Sequence, residues 1–217
     1  MNNVKSKMGE IKNLILLFSS VFILFSCGSE SEKKSSRKLP IYGERDTDEK
    51  GDTIYHTVGN FSLKNQEGDY YSHNDLKGKV YVADFFFTSC PSICPKMTTN
   101  MKKFANAFKN NDEVRIISFT VDPKRDTVEK LKKYADKNGI NSKQWNLLTG
   151  DKETIYELGV YGYLLSAQED ALAPGGFLHS GQFILVDKEK RIRGIYEGTN
   201  AKEMDRMIED AKVLLAD

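Results

Sequence analysis

"KVYVADFFFTSCPSICPKM", Lys79 to Met97, is the stretch from which the rest of the chain can be read. Its first nine residues, Lys79–Phe87, are almost continuously apolar or aromatic, the pattern of a strand buried on both faces of a sheet. Cys90 and Cys94 follow at once, four positions apart, each ahead of a proline. Proline disfavours right-handed helical backbone in the residue before it and is welcome at the first helical position. The stretch therefore predicts strand, loop and helix, with Cys94 as N-cap and Pro95 as the first helical residue. The helix should run to about Lys109, with Met97, Met101, Phe104 and Phe108 along one apolar face. That periodicity makes the two methionines core residues rather than ligands. N–H groups and the dipole at a helix start favour a thiolate, which suits a redox couple and a pair of metal ligands alike. A staple is the weaker reading, because a disulfide here would close a tiny loop and remove little unfolded-state entropy.

Working outward, "VRIISFTV" (Val114–Val121) reads as the next strand. Asp126 with Glu129 reads as a capping pair for a second helix, which Gly139 closes. Asp151 opens a short helix to about Leu158. "QFILVDKEKRIRGIYEG" is a hairpin turning near Lys188–Lys190, and Asn200 with Glu203 caps a last helix to Leu215. Upstream, "NFSLKNQEGDYYS" gives two short strands around a Glu67-Gly68 turn. The order is that of an α/β, thioredoxin-like fold: a central mixed β-sheet flanked by helices, with an N-terminal hairpin and an insertion before the C-terminal hairpin. The insertion is "EDALAPGGFL" (Glu169–Leu178), where Pro and Gly break any regular pattern. The cysteines fall at the carboxyl end of a central strand, where sites form in open α/β sheets.

The first 26 residues read as a targeting segment. Three lysines precede the uncharged run Leu14–Phe25, too short to span a bilayer comfortably but suited to a secretory h-region. The run ends "LFSCG", which resembles a bacterial lipoprotein signal. That resemblance implies cleavage before Cys27, lipidation of its sulfur and a stable membrane anchor. An ordinary signal peptide or an uncleaved anchor is the alternative. The expected organisation is a signal peptide over 1–26, a flexible polar tether over 27–57 and a thioredoxin-like domain over 58–217. The chain is expected to be exported, facing the periplasm or cell exterior, where thiols become disulfides unless something keeps them reduced. The net charge of +1 includes three lysines against one glutamate within residues 1–26, so the remainder carries −1. There is no bulk basic field to attract nucleic acid.

Three residues, Pro91, Ser92 and Ile93, separate the cysteines, against two in typical thioredoxin-like oxidoreductases. The larger loop lets two sulfurs diverge around an ion, and two thiolates suit Cu(I). Of the three histidines, His56 and His73 read as solvated surface residues. His179 stands just before the strand Phe183–Val186. In a thioredoxin-like domain the segment entering that strand faces the cysteine loop, so His179 is the candidate third ligand.

The chain resembles the Sco/SenC family of membrane-attached copper proteins. The resemblance rests on "VADFFFTSCPSICPKM", "SFTVDPKRDT", "LLTG" after a tryptophan, and "HSGQFILVDKEKRIRGIYEGT", in that order from about Val58 to the C-terminus. It implies binding of copper, as Cu(I), Cu(II) or both, by Cys90, Cys94 and His179. It also implies a role in maturing the copper A centre of a cytochrome c oxidase, with the copper A-bearing subunit or another exported cuproprotein as partner. Asp122 matches an acidic family position near the metal loop and is also a natural turn former before Pro123. The competing function is a tethered thiol–disulfide oxidoreductase using Cys90 and Cys94. A pair that holds Cu(I) can also exchange electrons as a disulfide, so a metallochaperone with thiol chemistry unites the two.

Overall fold

The computed structural model describes residues 37–165, 168–169, 177–178 and 180–216. The expected signal peptide, Cys27 and His179 lie outside these residues. The described part belongs to one unit, Arg37–Asp217.

Strand β5 (Val80–Phe86) is buried along its whole length and sits at the centre of a five-stranded sheet. It runs parallel to β6 (Val114–Thr120), which runs parallel to β7 (Trp145–Leu148). On its other side it is antiparallel to β10 (Gln182–Val186), which forms a hairpin with β11 (Ile192–Glu197). The order β11-β10-β5-β6-β7 is that of a mixed, thioredoxin-like sheet. Helices α1 (Cys94–Ala107) and α2 (Val128–Asn138) make the crossovers β5–β6 and β6–β7. Both crossovers step the same way across the sheet, so right-handedness puts both helices on one face. The C-terminal helix α4 (Ala201–Ala216) packs against α1 there.

Side chains of β5 alternate between faces. Phe86 meets Tyr134 of α2, while Phe85 stacks on Phe119 at 5.1 Å and meets Tyr163 on the opposite side. That second face is closed by Phe61 against Phe119, and the predicted N-terminal hairpin, β3 (Ser62–Lys64) with β4 (Tyr70–Ser72), is bridged from Lys64 to Thr149 beyond the end of β7. Helix α3 (Lys152–Glu157) is capped by Asp151 as expected and runs into a single π-turn, Leu158–Gly162. Of the insertion, two short strands pair antiparallel, β8 (Gln168–Glu169) and β9 (Phe177–Leu178).

Four expectations change. Residues 37–57, read as the end of the tether, carry a hairpin of β1 (Arg45–Thr47) and β2 (Thr53–Tyr55), and Leu39 is buried. Their contacts are made through the backbone, which polar composition does not report: Tyr42 N–H donates to Ile192 O at 2.9 Å, and Val58 N–H to Lys190 O at 2.9 Å. Cys94 is the first residue of α1 rather than its cap. The Ile93 carbonyl takes the first helical bond from Met97, and Pro95 is tolerated because first-turn N–H groups have no intrahelical partner. The cap of α2 is Thr127, whose hydroxyl accepts from Lys130 N–H, and Asp126 turns inward instead. Neither His56 nor His73 is freely solvated. His56 Nε2 lies 2.8 Å from the Gly162 carbonyl, and His73 is half-buried, with burial and then Lys190 holding its pKa down.

Candidate metal centre

The site forms where β5 ends. After Phe87 the chain leaves the sheet at Thr88, loops through Cys90 and re-enters regular structure at Cys94. Both cysteines carry thiols, and both are buried, with 8% and 2% of their surfaces exposed. Their electrostatics differ. Burial pushes the Cys90 thiol up, but hydrogen bonds onto its sulfur outweigh that and leave its pKa below the ordinary value. The donors are the Cys94 thiol, the backbone N–H groups of Cys94 and Ser92, and the Ser92 hydroxyl. Cys94 is raised, first by burial and then by giving its hydrogen bond to Cys90. The Cys90 thiol thus gives up its proton more readily than the Cys94 thiol.

Two side chains outside the expected ligand set touch this loop and the start of α1, and a third, Asp84, lies in the strand that leads to it. Asp126, fully buried, accepts from Thr88 N–H at 2.9 Å, from the Thr88 hydroxyl, and from the Thr120 hydroxyl at 2.7 Å. Lys130 Nζ lies 3.2 Å from its Oδ1. Asp126 therefore ties the start of the cysteine loop to β6. Tyr134 of α2 shares a 2.8 Å hydrogen bond with the Thr98 hydroxyl, which also donates to the Cys94 carbonyl at 2.9 Å. Burial pushes the Tyr134 phenol up to about 12. Asp84 sits within β5, and burial pushes its carboxyl up to about 7 despite a hydrogen bond from Ser118. Ser118 in turn accepts from Trp145 Nε1 at 2.8 Å. A carboxylate inside an otherwise apolar central strand was the available signal.

Asp122 lies on the same rim. Its carbonyl accepts from Arg125 and Asp126 N–H groups, which makes it a turn former, and its carboxylate pairs with Arg125. The entrance to β10 lies against the cysteine loop, as expected from the fold. A Cβ placed on Gly181 would sit 3.5 Å from Ile93 Cδ1. Among the described residues no group of three Cys, His, Asp or Glu side chains gathers as a metal cluster. Two buried sulfurs, one of them with its pKa lowered, are the soft donors that a soft monovalent ion prefers.

A family model described as SCO1/SenC matches residues 49–216. Three solved structures are similar over most of the domain. A SCO1/SenC family lipoprotein from Bacillus anthracis is 34% identical with a TM-score of 0.68, covering 74% of this chain and 95% of that one. BsSco, a member of the Sco family of cytochrome c oxidase assembly proteins in which a disulfide switch was identified, is 34% identical with a TM-score of 0.66, covering 74% and 94%. Bradyrhizobium japonicum ScoI with copper bound is 25% identical with a TM-score of 0.60, covering 73% and 99%.

Proposed function

The chain belongs to the SCO1/SenC family, and on that premise we propose that it carries copper as cargo, for assembly of the copper A centre of a cytochrome c oxidase or of another exported cuproprotein. Cys90 and Cys94 hold the ion, and His179 completes the ligand set. The observation that carries this reading is the pair of adjacent buried thiols with unequal proton affinity, placed against the entrance to β10. Copper bound to a structural relative supports it. Cys27 is the lipid anchor in this reading, after removal of residues 1–26, and a lipoprotein relative supports that assignment. No helix among the described residues is long and apolar enough to cross a membrane.

Anaerobic copper loading of the reduced protein tests the site. Binding of one Cu(I) per chain is expected, with tight binding abolished in Cys90→Ala and in Cys94→Ala, since one sulfur and one imidazole leave the ion under-coordinated. Retention of copper by either monomeric variant would place the metal elsewhere.

A second reading, thiol–disulfide exchange with an exported protein or the apo-oxidase subunit, is favoured by the same asymmetry. Cys90 is the more exposed and the more acidic thiol, and Cys94 is the buried resolving partner. The disulfide switch of BsSco gives it precedent. Copper uptake and disulfide formation compete for the same sulfurs. Thiol trapping and copper titration should therefore move in opposition as the redox potential is varied.

A further inference from the structure

The open end of the β10–β11 hairpin is bolted to α1, the helix that begins with Cys94. Asn100, buried in the second turn of α1, donates from Nδ2 to the Gly198 carbonyl oxygen at 2.8 Å. Gly198 in turn donates its N–H to the Gly181 carbonyl oxygen at 2.7 Å. The approach is close enough to require glycine. A Cβ on Gly198 would lie 2.7 Å from that backbone oxygen and 3.1 Å from the Phe183 ring. Gly181 also faces the cysteine loop through Ile93. Two hydrogen bonds thus span from the helix of Cys94 to the residue that leads into β10, and His179 stands two positions before that residue in sequence.

Neither helix propensity nor packing asks for asparagine at position 100. Its propensity is below that of Leu, Met or Lys, and a buried amide is costly unless bonded. The bond to Gly198 accounts for it. We infer that Asn100 is a positioning residue, which fixes the chain entering β10 relative to the cysteine pair and so sets how far a nitrogen donor contributes to copper binding. The inference rests on the reading that His179 supplies that donor. Asn100 acts on the site through Gly198 and Gly181. Cu(II) relies on nitrogen donors more than Cu(I), for which two thiolates dominate. Loss of the bolt should therefore weaken the two oxidation states unequally.

The test uses the full chain in detergent, with Asn100→Asp, which keeps the size and removes the donor, Asn100→Ala as a second variant, and His179→Ala alongside. Cu(I) and Cu(II) affinities are measured by competition titration, and amide hydrogen exchange at Gly198 is followed in the metal-free protein. In both Asn100 variants Gly198 exchange is expected to accelerate and Cu(II) affinity to fall about tenfold or more, with Cu(I) affinity nearly unchanged. Equal losses for both ions would reduce Asn100 to a general structural role and overturn the inference, as would wild-type Gly198 protection in the variants. An unchanged Cu(II) affinity in His179→Ala would instead sink the three-ligand reading and the nitrogen-donor role with it, while the exchange data still report whether Asn100 holds the hairpin.

Discussion

A carboxyl group shut away from water needs partners for its oxygens, and Asp126 has two donors from Thr88, one from Thr120 and the ammonium of Lys130. The Thr88 bonds reach the chain two residues ahead of Cys90, so this side chain sets where the loop leaves the sheet. An amide in its place would turn donors toward donors. Asp126→Asn is expected to lower stability by about 2–3 kcal/mol in urea unfolding and Cu(I) affinity of the folded protein by about tenfold. Wild-type copper affinity would mean that the loop holds its shape without the carboxylate. At Asp84, burial favours the neutral form. Its folded pKa is about 7 against an ordinary 3.8, so the folded state keeps a proton that the unfolded state releases. The stabilisation is complete below about pH 4 and is lost as the pH rises to about 7, a span of the order of 4 kcal/mol. Asp84→Asn keeps an acceptor for Ser118 and removes that dependence. Metal-free variant and wild type should therefore diverge in stability between about pH 4 and 7, the variant gaining. Parallel curves would show that the carboxylate finds stabilisation in the fold.

At the scale of elements, the β7 edge of the sheet is closed without a full strand. The Gln66 side chain imitates one: its amide donates through Nε2 to Trp145 O at 2.9 Å, and its Oε1 accepts from Leu147 N–H at 2.8 Å. Removing that amide leaves two strand groups unmatched. Gln66→Ala is expected to cost about 2 kcal/mol or more and to shift the urea midpoint at unchanged slope. It should also promote self-association, since an uncovered edge is a template for pairing. If the variant stays monomeric at wild-type stability, water or backbone rearrangement replaces the amide. The same elements show what the sequence could disclose. The strand β5, helix α1 and the β10–β11 hairpin were legible because burial on two faces, helical periodicity and turn chemistry are local signals. So were the paired cysteines at the strand end. β7 was not, because "WNLL" is four residues long and shows no alternation. Asp126 and Gln66 look locally like a cap and a turn neighbour, since nothing near them in sequence says that a polar side chain will point inward to distant backbone. The role of Asn100 depends on Gly198, 98 positions away.

For the molecule as a whole, the reach of the proposed metal site depends on where the fold begins in the sequence. Arg193 on β11 marks that boundary from within: Nη1 pairs with Asp187 at 2.9 Å, while Nη2 and Nε donate to the carbonyls of Leu39 and Pro40 at 2.9 and 3.0 Å. Arg37 adds an ion pair to Asp210 at 3.0 Å, although its own exposure limits what that is worth. Asp210 in turn accepts from the Tyr196 hydroxyl. Residues 37–42 are thus an integral strap on the outer edge of the β10–β11 hairpin, so the described fold begins at least as early as Arg37. With Cys27 as the proposed anchor, the ten peptide steps to Arg37 span at most about 36 Å. A chain beginning at Arg37 should therefore unfold at nearly the urea midpoint of one beginning at Gly28. A chain beginning at Gly43 should lose about 2–4 kcal/mol, because it leaves two Arg193 donors unmatched and uncovers the Leu39 site. Copper affinity of the folded fraction should be unaffected, as the strap lies along β11, which β10 separates from β5 and the loop that follows it. Equal midpoints for the chains beginning at Arg37 and Gly43 would show that residues 37–42 add nothing to the stability of the fold.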